Sequence, residues 1–484
     1  MDNIKRVEDV KKTFQINNYK VFGIGGLPLT RSEAYPIMQD FELICSNKTG
    51  EWESVEQKIK INKFSIKNNP GSKKPEEILS DQTVIDYIRK NSRKKKVGIY
   101  IMKPNKAIED VCKKNNWTAI SSPLDLYKKY SNRVNFYDLL KKAGITKDYL
   151  YINYQDLSSK KEEVFLLGER VVVQVLEEEG GGKGTFFFEK TQKDSMQVEI
   201  KKRLSDIKRE DKLIVSKFVD GPVMSFTACV TRDNGILTLK PQLQLIDIKE
   251  SVEKKSNAQG IFCGHDWSLS NDLPEDLIKE TDNMGNKIGN LLKKDGYKGI
   301  FGVDFIWDRK SSKIIPLEIN ARILGAYPAQ VQVQLEASEV PLLAFHFLEH
   351  LGIDYRINSK NVFRNDFDYE GSHLILFNFL GNDIIFNENL PGGVYEIDEN
   401  GRLLFLRYGF ELSDIKDENR EFILTDGAPV KGRTVKKDKK ILRIIAKRSL
   451  AKGDGKELNN WGLTITSSIK DKIRECSTLL KADL

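Results

Sequence analysis

The stretch Gly302–Arg322, GVDFIWDRKSSKIIPLEINAR, decides how the rest of the chain is interpreted. Two strand-like apolar runs flank a short polar segment, so we predict a β-hairpin whose turn centres near Ser311. Side chains two positions apart on a strand point to the same face, which places Glu318, Asn320 and Arg322 in one row. A strand that only packs would accept any polar residue on its wet face. This row of a carboxylate, an amide and a guanidinium therefore indicates a ligand site.

The predicted turn brings Asp304 opposite Glu318, with Asn320 beside them. Two carboxylates and an amide oxygen are hard oxygen ligands of the kind that Mg²⁺ (or Mn²⁺) takes while it bridges nucleotide phosphates. We predict a metal site at Asp304, Glu318 and Asn320. Arg322 continues the row, and we predict that it is catalytic and contacts the substrate, because a guanidinium stabilises phosphoryl or acyl-phosphate oxygens. The structural alternative, a surface ladder of charges, would not require the amide.

The glycine-rich segment Glu177–Gly184, EEEGGGKG, lies between the apolar runs Arg170–Val175 and Thr185–Phe188. Its backbone N–H groups can wrap around phosphate oxygens. It is not a Walker A loop, because Gly184 follows Lys183 where Ser or Thr is required. Two alternatives stay open at this point: a β-hairpin flap that closes over a nucleotide, or an ordinary mobile surface hairpin.

Two other motifs are interpreted as structural. HFLEH at 346–350 fits the inverted zinc-protease pattern H-x-x-E-H, but Val340–Leu351 has the character of an apolar packing helix. Gly23–Gly26 follows a strand-like run, yet the third glycine of a dinucleotide fingerprint would fall at Pro28. We therefore predict a packing helix at the first motif and a tight turn at the second.

Composition limits the partners and the compartment. Lys+Arg 78 against Asp+Glu 70 leaves a net charge of +8, and the densest basic run, Lys94–Lys96, is short and lacks interleaved aromatics, so we expect no nucleic-acid partner. The five cysteines are far apart, which favours a reducing cytoplasm over a disulfide framework. The N-terminus has no apolar signal segment, and no apolar run approaches the ~20 residues of a membrane span. We expect a soluble, cytoplasmic protein without a membrane partner.

Three parts of the chain differ in pattern. Up to about residue 130, short apolar runs alternate with helix-like stretches such as Pro75–Arg89, which predicts a small α/β layer. NRVNFYDLLKKAGI then predicts an amphipathic helix that starts after Asn132 and ends at Gly144. From residue 355, short strands separated by PGG, ENG and DGAP predict a mixed, β-rich unit.

Together these segments resemble the ATP-grasp superfamily, and in particular carboxylate–amine ligases of the amino-acid or peptide ligase type with a biotin-carboxylase-like architecture. GYKGIFGVDFIWD with KIIPLEINARILG is similar to the metal hairpin of that superfamily, VVVQVLEEEGGGKGTFFF to its phosphate-covering flap, and LIVSKFVDGPVMS to its adenine hinge. The resemblance implies an α/β and α+β fold class. It implies an N-terminal Rossmann-like pre-grasp domain at 1–131, an ATP-grasp nucleotide-binding domain at 132–352 with a flap subdomain at about 150–220, and a β-rich, mixed α/β C-terminal domain at 353–484.

The resemblance also implies a set of ATP-binding residues: Arg133, Gln174, Gly181, Gly182, Lys183, Gly184, Thr185, Lys217, Phe218 and Val219. Lys183 joins Arg322 as a catalytic residue. The stretch 242–267, between hinge and metal hairpin, is expected to shape the substrate pocket, with Gly260 and His265 as substrate residues. Gln174 and Ser216 depart from the family pattern, which often has lysine and glutamate there, and Arg133 replaces a lysine.

The activity implied by the resemblance is an ATP-dependent ligation. A carboxylate, of an amino acid or a peptide, is activated as an acyl phosphate and coupled to an amine, with release of ADP and phosphate. The partners are then a small-molecule carboxylate and amine, the cofactors are ATP and Mg²⁺ (or Mn²⁺), and a homodimer is expected. Two alternatives are kept: a phosphoryl transferase of the same fold, and a non-catalytic ATP-binding regulatory module. The sequence leaves the identity of both substrates open.

Overall fold

A parallel sheet forms the N-terminal part of the computed structural model, which describes residues 2–65, 74–145, 147–176, 184–252, 260–357 and 367–480. In chain order its elements are β1 Asp2–Ile4, α1 Val7–Ile16, β2 Tyr19–Gly25, β3 Phe41–Cys45, α2 Trp52–Glu56, β4 Lys60–Lys63, α3 Pro75–Ser80, α4 Gln82–Asn91, β5 Lys96–Tyr100, α5 Lys106–Asn115 and β6 Thr118–Ile120. Five strands pair in the order β4-β3-β2-β5-β6, all parallel. Their apolar runs suit strands covered on both faces.

Two local expectations can be compared with this part. The helix expected over Pro75–Arg89 is interrupted, because Asp81 has an extended backbone and its side chain accepts a hydrogen bond from the Thr83 N–H at 2.9 Å, capping α4. After Gly25 the chain makes bends and a 3₁₀ turn at Ser32–Ala34. Gly23 and Gly25 themselves belong to β2, so the tight turn predicted at Gly23–Gly26 is wrong for most of the motif, and the chain turns only from Gly26 onward.

A four-stranded antiparallel sheet follows, in the order β7-β10-β8-β9. The elements of this part are α6 Leu124–Ser131, α7 Arg133–Lys142, β7 Tyr149–Asn153, α8 Lys161–Val164, β8 Arg170–Val175, β9 Thr185–Glu189, α9 Met196–Arg203 and β10 Lys212–Lys217. The helix α7 is capped by Asn132, whose side chain accepts from two backbone N–H groups, and the chain leaves it at Gly144 with φ +67°. Both ends of this helix agree with the prediction.

An eleven-stranded sheet dominates the rest of the molecule. In chain order the next elements of the molecule, not all of them in this sheet, are β11 Val223–Val230, β12 Ile236–Thr238, β13 Gln242–Ile246, β14 Phe262–Asp266, α10 Glu275–Lys294, β15 Gly299–Asp308, β16 Lys313–Asn320, α11 Tyr327–Glu336, α12 Leu342–Leu351 and β17 Tyr355–Ile357. The remaining elements are β18 Ser372–Phe377, β19 Ile384–Phe386, β20 Gly393–Ile397, β21 Leu403–Arg407, β22 Phe422–Thr425, β23 Thr434–Val435, β24 Lys440–Ala446, β25 Ala451–Lys452, β26 Glu457–Leu458, α13 Asn460–Cys476 and β27 Ser477–Leu479.

The strand order in this sheet is β16-β15-β11-β13-β14-β18-β24-β22-β20-β21, with β12 beside β11. The pairing of β14 with β18 places His265 opposite His373, so the sheet continues across the domain limit predicted at 352/353. A parallel α/β sheet and a large antiparallel sheet together confirm the α/β and α+β fold class. No helix within the described ranges is long and apolar enough to cross a membrane.

Candidate active site

A cavity of about 640 Å³ lies between the four-stranded sheet and the eleven-stranded sheet. The predicted site residues that line it are Arg133, Gln174, Thr185, Lys217, Phe218, Val219, Gly260, His265, Asp304, Glu318, Asn320 and Arg322. Gly184 is buried, and its carbonyl accepts the Val175 N–H at 2.8 Å within the β8–β9 hairpin. Gly181, Gly182 and Lys183 lie outside the described residues. The structure therefore brings most of the predicted residues into one cavity.

The hairpin β15–β16 places the two predicted metal-binding carboxylates opposite each other. Next to the turn, Asp308 pairs with Lys313 and Phe305 with Pro316, a register that would bring Asp304 opposite Leu317. A bulge shifts the register by one residue, so Asp304 pairs with Glu318 instead. The predicted opposition is correct, and the bulge produces it.

The bulge also changes which side chains face the cavity. Before it, Ile315 and Leu317 line the cavity, and after it Glu318 and Asn320 do so. Two consecutive residues, Leu317 and Glu318, therefore contribute to the same surface, which simple alternation along the strand would not allow. An apolar surface made by Ile315 and Leu317 thus adjoins the carboxylates directly.

The two carboxylates share a network of amides. The Nδ2 of Asn320 donates to Asp304 Oδ2 at 3.1 Å and to Glu318 Oε1 at 3.4 Å, and the Nε2 of Gln244 donates to Asp304 Oδ1 at 2.7 Å. Burial, followed by repulsion from the Glu318 carboxylate, raises the pKa of Asp304 well above its usual range. A divalent cation would supply the positive charge that this pair lacks, so the oxygens of Asp304 and Glu318 fit Mg²⁺. Asn320 would add its Oδ1 with the amide turned over, because its Nδ2 faces the carboxylates here and its Oδ1 accepts from Arg322.

Arg322 does not continue the strand as expected. The strand β16 ends at Asn320, and the Arg322 N–H donates to the Asn320 carbonyl at 2.8 Å, so the chain bends sharply here. The guanidinium still reaches the row, because its Nη2 donates to Asn320 Oδ1 at 3.0 Å while Nη1 donates to the Ile323 carbonyl at 3.0 Å. The prediction of an extended row through Arg322 is wrong, but the predicted proximity of the side chains holds.

The other end of the cavity is formed by the four-stranded sheet. Lys217 ends β10, and Phe218 and Val219 follow it along the cavity wall. The Phe218 N–H donates to the Arg170 carbonyl at 2.9 Å, and the Arg170 guanidinium stacks 3.9 Å from the centre of the Phe218 ring. Arg133, the first residue of α7, donates from Nη1 to the Val175 carbonyl at 2.9 Å. The Phe218 ring, with the guanidinium groups of Arg170 and Arg133 near it, suits a planar base attached to phosphates.

Gly260 and His265 line the same cavity. Gly260, at φ +75°, donates its N–H to Asp247 Oδ2 at 2.8 Å. The Nε2 of His265 is 3.2 Å from Ser225 Oγ, and its Nδ1 is 3.3 Å from His373 Nε2. Burial, with a smaller effect of the Arg443 charge, lowers the pKa of His265 to about 3, so the ring is neutral.

Among the cavity residues that were not named individually from the sequence, three make polar contacts there, and Gln244 lies within the stretch 242–267 predicted to shape the pocket. Gln244 contacts Asp304, Ser225 contacts His265, and Lys147 donates from Nζ to the Pro316 carbonyl at 2.9 Å. In the run QLQLI glutamines alternate with leucines, so the sequence could have indicated that Gln244 lies on the polar face of a strand. Lys147 has no such signal, because its position depends on the packing of the loop before β7 against β16.

The HFLEH motif lies inside the packing helix α12. His346 and His350 are buried with ring centres 4.3 Å apart, and His346 Nδ1 accepts the Ile300 N–H at 3.1 Å. Among the residues that the structure describes, no group of three or more His, Cys, Asp or Glu side chains could hold a metal ion. The prediction of a packing helix at this motif is confirmed, and the absence of zinc stays a prediction.

Residues 130–326 match the family model of the ATP-grasp domain. No curated protein matches the sequence significantly. The fold is similar to that of the biotin carboxylase domain dimer of Hydrogenobacter thermophilus 2-oxoglutarate carboxylase, in a complex with MgADP, ADP and bicarbonate. The sequences are 15% identical, the TM-score is 0.54, and the match covers 94% of this chain and 89% of the other.

Two further solved structures have a similar fold. Phosphoribosylamine–glycine ligase from Thermotoga maritima is 13% identical with a TM-score of 0.54, over 95% of this chain and 97% of that one. Biotin carboxylase from Campylobacter jejuni, in a complex with a β,γ-ATP ligand, is 11% identical with a TM-score of 0.54, over 89% of this chain and 87% of that one. This protein has the ATP-grasp fold, and the match to the ATP-grasp domain spans its residues 130–326.

Proposed function

We propose that the protein is an ADP-forming ligase that activates a carboxylate with ATP and couples it to an amine. One observation carries the proposal: Asp304 and Glu318 face each other in the same cavity as the aromatic hinge wall at Phe218. Metal-binding carboxylates, a nucleotide wall and the Arg322 guanidinium in one cavity are the components that acyl-phosphate chemistry requires.

The nucleotide occupies the end of the cavity formed by the four-stranded sheet in this proposal. The backbone around Lys217 and Val219 pairs with the base, which lies against Phe218. Arg133 and Thr185 face the phosphates, and Gln174 offers a neutral amide to them. The ordered contacts of β8 with β9 and β10 hold these residues on one wall.

The metal-binding residues in the proposal are Asp304, Glu318 and Asn320. Bound Mg²⁺ would neutralise phosphate charge and allow both carboxylates to stay ionised side by side. In the absence of a metal the Asn320 Nδ2 donates to both carboxylates, and Gln244 fixes the orientation of Asp304. Two carboxylates and one amide leave coordination positions for water and phosphate oxygens.

The reaction proceeds in two balanced steps. A carboxylate oxygen of the first substrate attacks the γ-phosphorus of ATP, the bond from phosphorus to the ADP oxygen breaks, and an acyl phosphate forms. The amine nitrogen of the second substrate then attacks the acyl carbon, the bond to phosphate breaks, and the nitrogen loses a proton. Arg322 stabilises the oxygen that carries negative charge in the second step. Enclosure between the two sheets limits hydrolysis of the acyl phosphate.

The substrates are proposed to bind beside Gly260 and His265. The His265 ring, neutral and held between Ser225 and His373, adds no charge to this part of the cavity, and Phe262 supplies an apolar surface nearby. An amino acid or peptide fits this combination, as the sequence resemblance implies. The names of the structural neighbours support the class of reaction, since phosphoribosylamine–glycine ligase joins an amine and the biotin carboxylases hold MgADP or an ATP ligand.

Location and assembly follow as parts of the same proposal. All five cysteines are unpaired and buried, which agrees with a reducing cytoplasm, where we place the reaction. The homodimer expected from the sequence stays a prediction.

The test is the release of ADP and phosphate from Mg·ATP by the purified protein with amino acids and dipeptides, singly and in pairs. We expect release that needs both a carboxylate and an amine, with an amide product detected by mass spectrometry. The Glu318→Gln variant is the control for contaminating ATPases. A phosphorylated small molecule formed from one substrate alone would favour the phosphoryl transferase. ATP binding without turnover across the panel would favour the regulatory module.

A further inference from the structure

Lys147 is a cavity residue that the proposed chemistry does not yet use. It precedes β7 and extends to β16, where its Nζ donates to the Pro316 carbonyl at 2.9 Å. The ammonium also lies 5.2 Å from the centre of the Tyr137 ring on α7. Within the described residues, its charge forms no ion pair with a carboxylate, since its contacts are this carbonyl and this ring.

Such an arrangement is costly for a lysine. Removing an ammonium from water is unfavourable unless an anion compensates it, and a carbonyl with an aromatic face compensates only in part. Burial accordingly lowers the pKa of Lys147 to about 8. Lys456, which lines the same cavity, forms an ion pair with Asp220 at 2.9 Å. Lys147 is therefore a cation that faces a ligand space without an anion of its own.

The position of Lys147 points to the nucleotide. Tyr137, under its ammonium, lies one helical turn after Arg133, so the lysine and Arg133 approach the cavity from the same face of α7. Gln174, on the strand β8, is neutral. Pro316 is next to Leu317, which forms the apolar wall beside Glu318. A nucleotide that spans from Phe218 to Glu318 passes this lysine.

We infer that Lys147 binds a phosphate of the nucleotide and supplies a positive charge to the phosphate end of the cavity. The inference rests on the proposed function, because it requires that the cavity holds a nucleotide. It adds a residue from the loop before β7 to a site otherwise formed by α7, the strands β8 to β10 and the metal hairpin.

The test compares Lys147→Met, which removes the charge and keeps the length, with Lys147→Arg, which keeps the charge. The matched control is Lys279→Met, because Lys279 is exposed on α10 and paired with Glu275 at 3.0 Å. Binding of ATP, ADP and adenosine is measured by calorimetry without other substrates. We expect Lys147→Met to weaken the binding of ATP and ADP by at least about tenfold and the binding of adenosine by less than about twofold. Lys147→Arg should stay within about threefold of wild type, and Lys279→Met should be unchanged.

Thermal unfolding separates binding from a structural role. Since Lys147→Met removes a charge that has no carboxylate partner, the ligand-free variant should unfold at the same or a higher temperature than wild type, while its stabilisation by ATP should shrink. Equal ATP affinity in wild type and Lys147→Met would overturn the inference about Lys147 and leave the proposed function untouched. Equal losses for ATP and adenosine, or a lower unfolding temperature with an unchanged response to ATP, would also overturn it. Failure of wild type to bind ATP would overturn the proposed function as well.

Discussion

Asp304 and Glu318 are register partners across the β15–β16 hairpin, and the same Asn320 amide group donates to both carboxylates. Without a cation, burial and repulsion from the Glu318 carboxylate raise the pKa of Asp304. A divalent cation bound between the two carboxylates would favour the ionised form of Asp304, so a proton and the cation oppose each other at this site. The metal dependence of any activity is tied to the ionisation of this carboxyl.

Glu318→Gln should reduce Mg·ATP turnover by at least about a hundredfold, because it removes a charged metal ligand without a change in volume. Glu318 is exposed, so the free energy of unfolding should change by less than about 0.5 kcal/mol. Turnover and chemical denaturation are measured on the same preparation. Asp308→Asn is the matched control, because Asp308 lies at the turn end of this hairpin, away from the carboxylate pair. Full activity in Glu318→Gln would refute the metal assignment.

Gln244→Leu should raise the Mg²⁺ concentration needed for half-maximal activity by about three- to tenfold. The Gln244 amide stabilises the ionised form of Asp304, so its loss raises the pKa of Asp304 further and lets protons compete better with the metal. The effect should diminish as pH rises. Gln242→Leu, on the same strand, is the control, since neither polar atom of the Gln242 side chain has a partner in the described structure. Equal Mg²⁺ requirements in both variants would contradict this role of Gln244.

His346→Ala should leave Mg·ATP activity intact and lower the free energy of unfolding by about 1–3 kcal/mol, because the buried Ile300 N–H loses its acceptor. His346→Asn should lower the free energy of unfolding by less than His346→Ala does, since an amide oxygen can accept the same hydrogen bond. Denaturant unfolding measures both effects, and elemental analysis of the purified protein should find no stoichiometric zinc. One equivalent of zinc, lost in His346→Ala together with activity, would restore the protease interpretation.

Glu339 should make stability depend on pH. Burial raises its pKa from the usual 4.5 to about 7, although Gln334 and Tyr369 each donate to it at 2.7 Å. The pKa of Glu339 is higher in the folded than in the unfolded protein. Its stabilisation is therefore complete below about pH 4.5 and is lost as pH rises through 7. Between these limits the loss is about 2–3 kcal/mol. Urea unfolding across pH 5–8 should show that the free energy of unfolding of Glu339→Gln depends less on pH than that of wild type. Parallel pH profiles for the two proteins would show that Glu339 is not the source of the dependence.

The parts of the site that could be predicted from the sequence are those fixed by local pattern. The hairpin and the helix start at Asn132 follow from alternation, capping and turn residues over short stretches. Asp304 and Glu318 were paired correctly, but for an incomplete reason, because the bulge at Leu317 depends on how the strands fit the sheet. The sharp bend at Arg322 was missed for the same reason, since alternation assumes that a strand continues.

Other parts depend on contacts between distant segments. Lys147 reaches the cavity through packing against Pro316, and His265 obtains its partners from Ser225 and His373 on neighbouring strands. No periodicity in the sequence reports such pairings. The continuity of β14 with β18 belongs to this class as well, because a long sequence separates the two strands and their pairing is a property of the whole sheet.

The pairing of β14 with β18 has a consequence for how the polypeptide can be divided. A chain severed between residues 352 and 372 would produce two fragments that each expose an unpaired strand edge, one along His265 and the other along His373. Exposed edges of this kind template pairing with other chains, so neither fragment would behave as an autonomous unit. The two pieces would instead have to be produced together and reassociate along this seam, as split reporter proteins do.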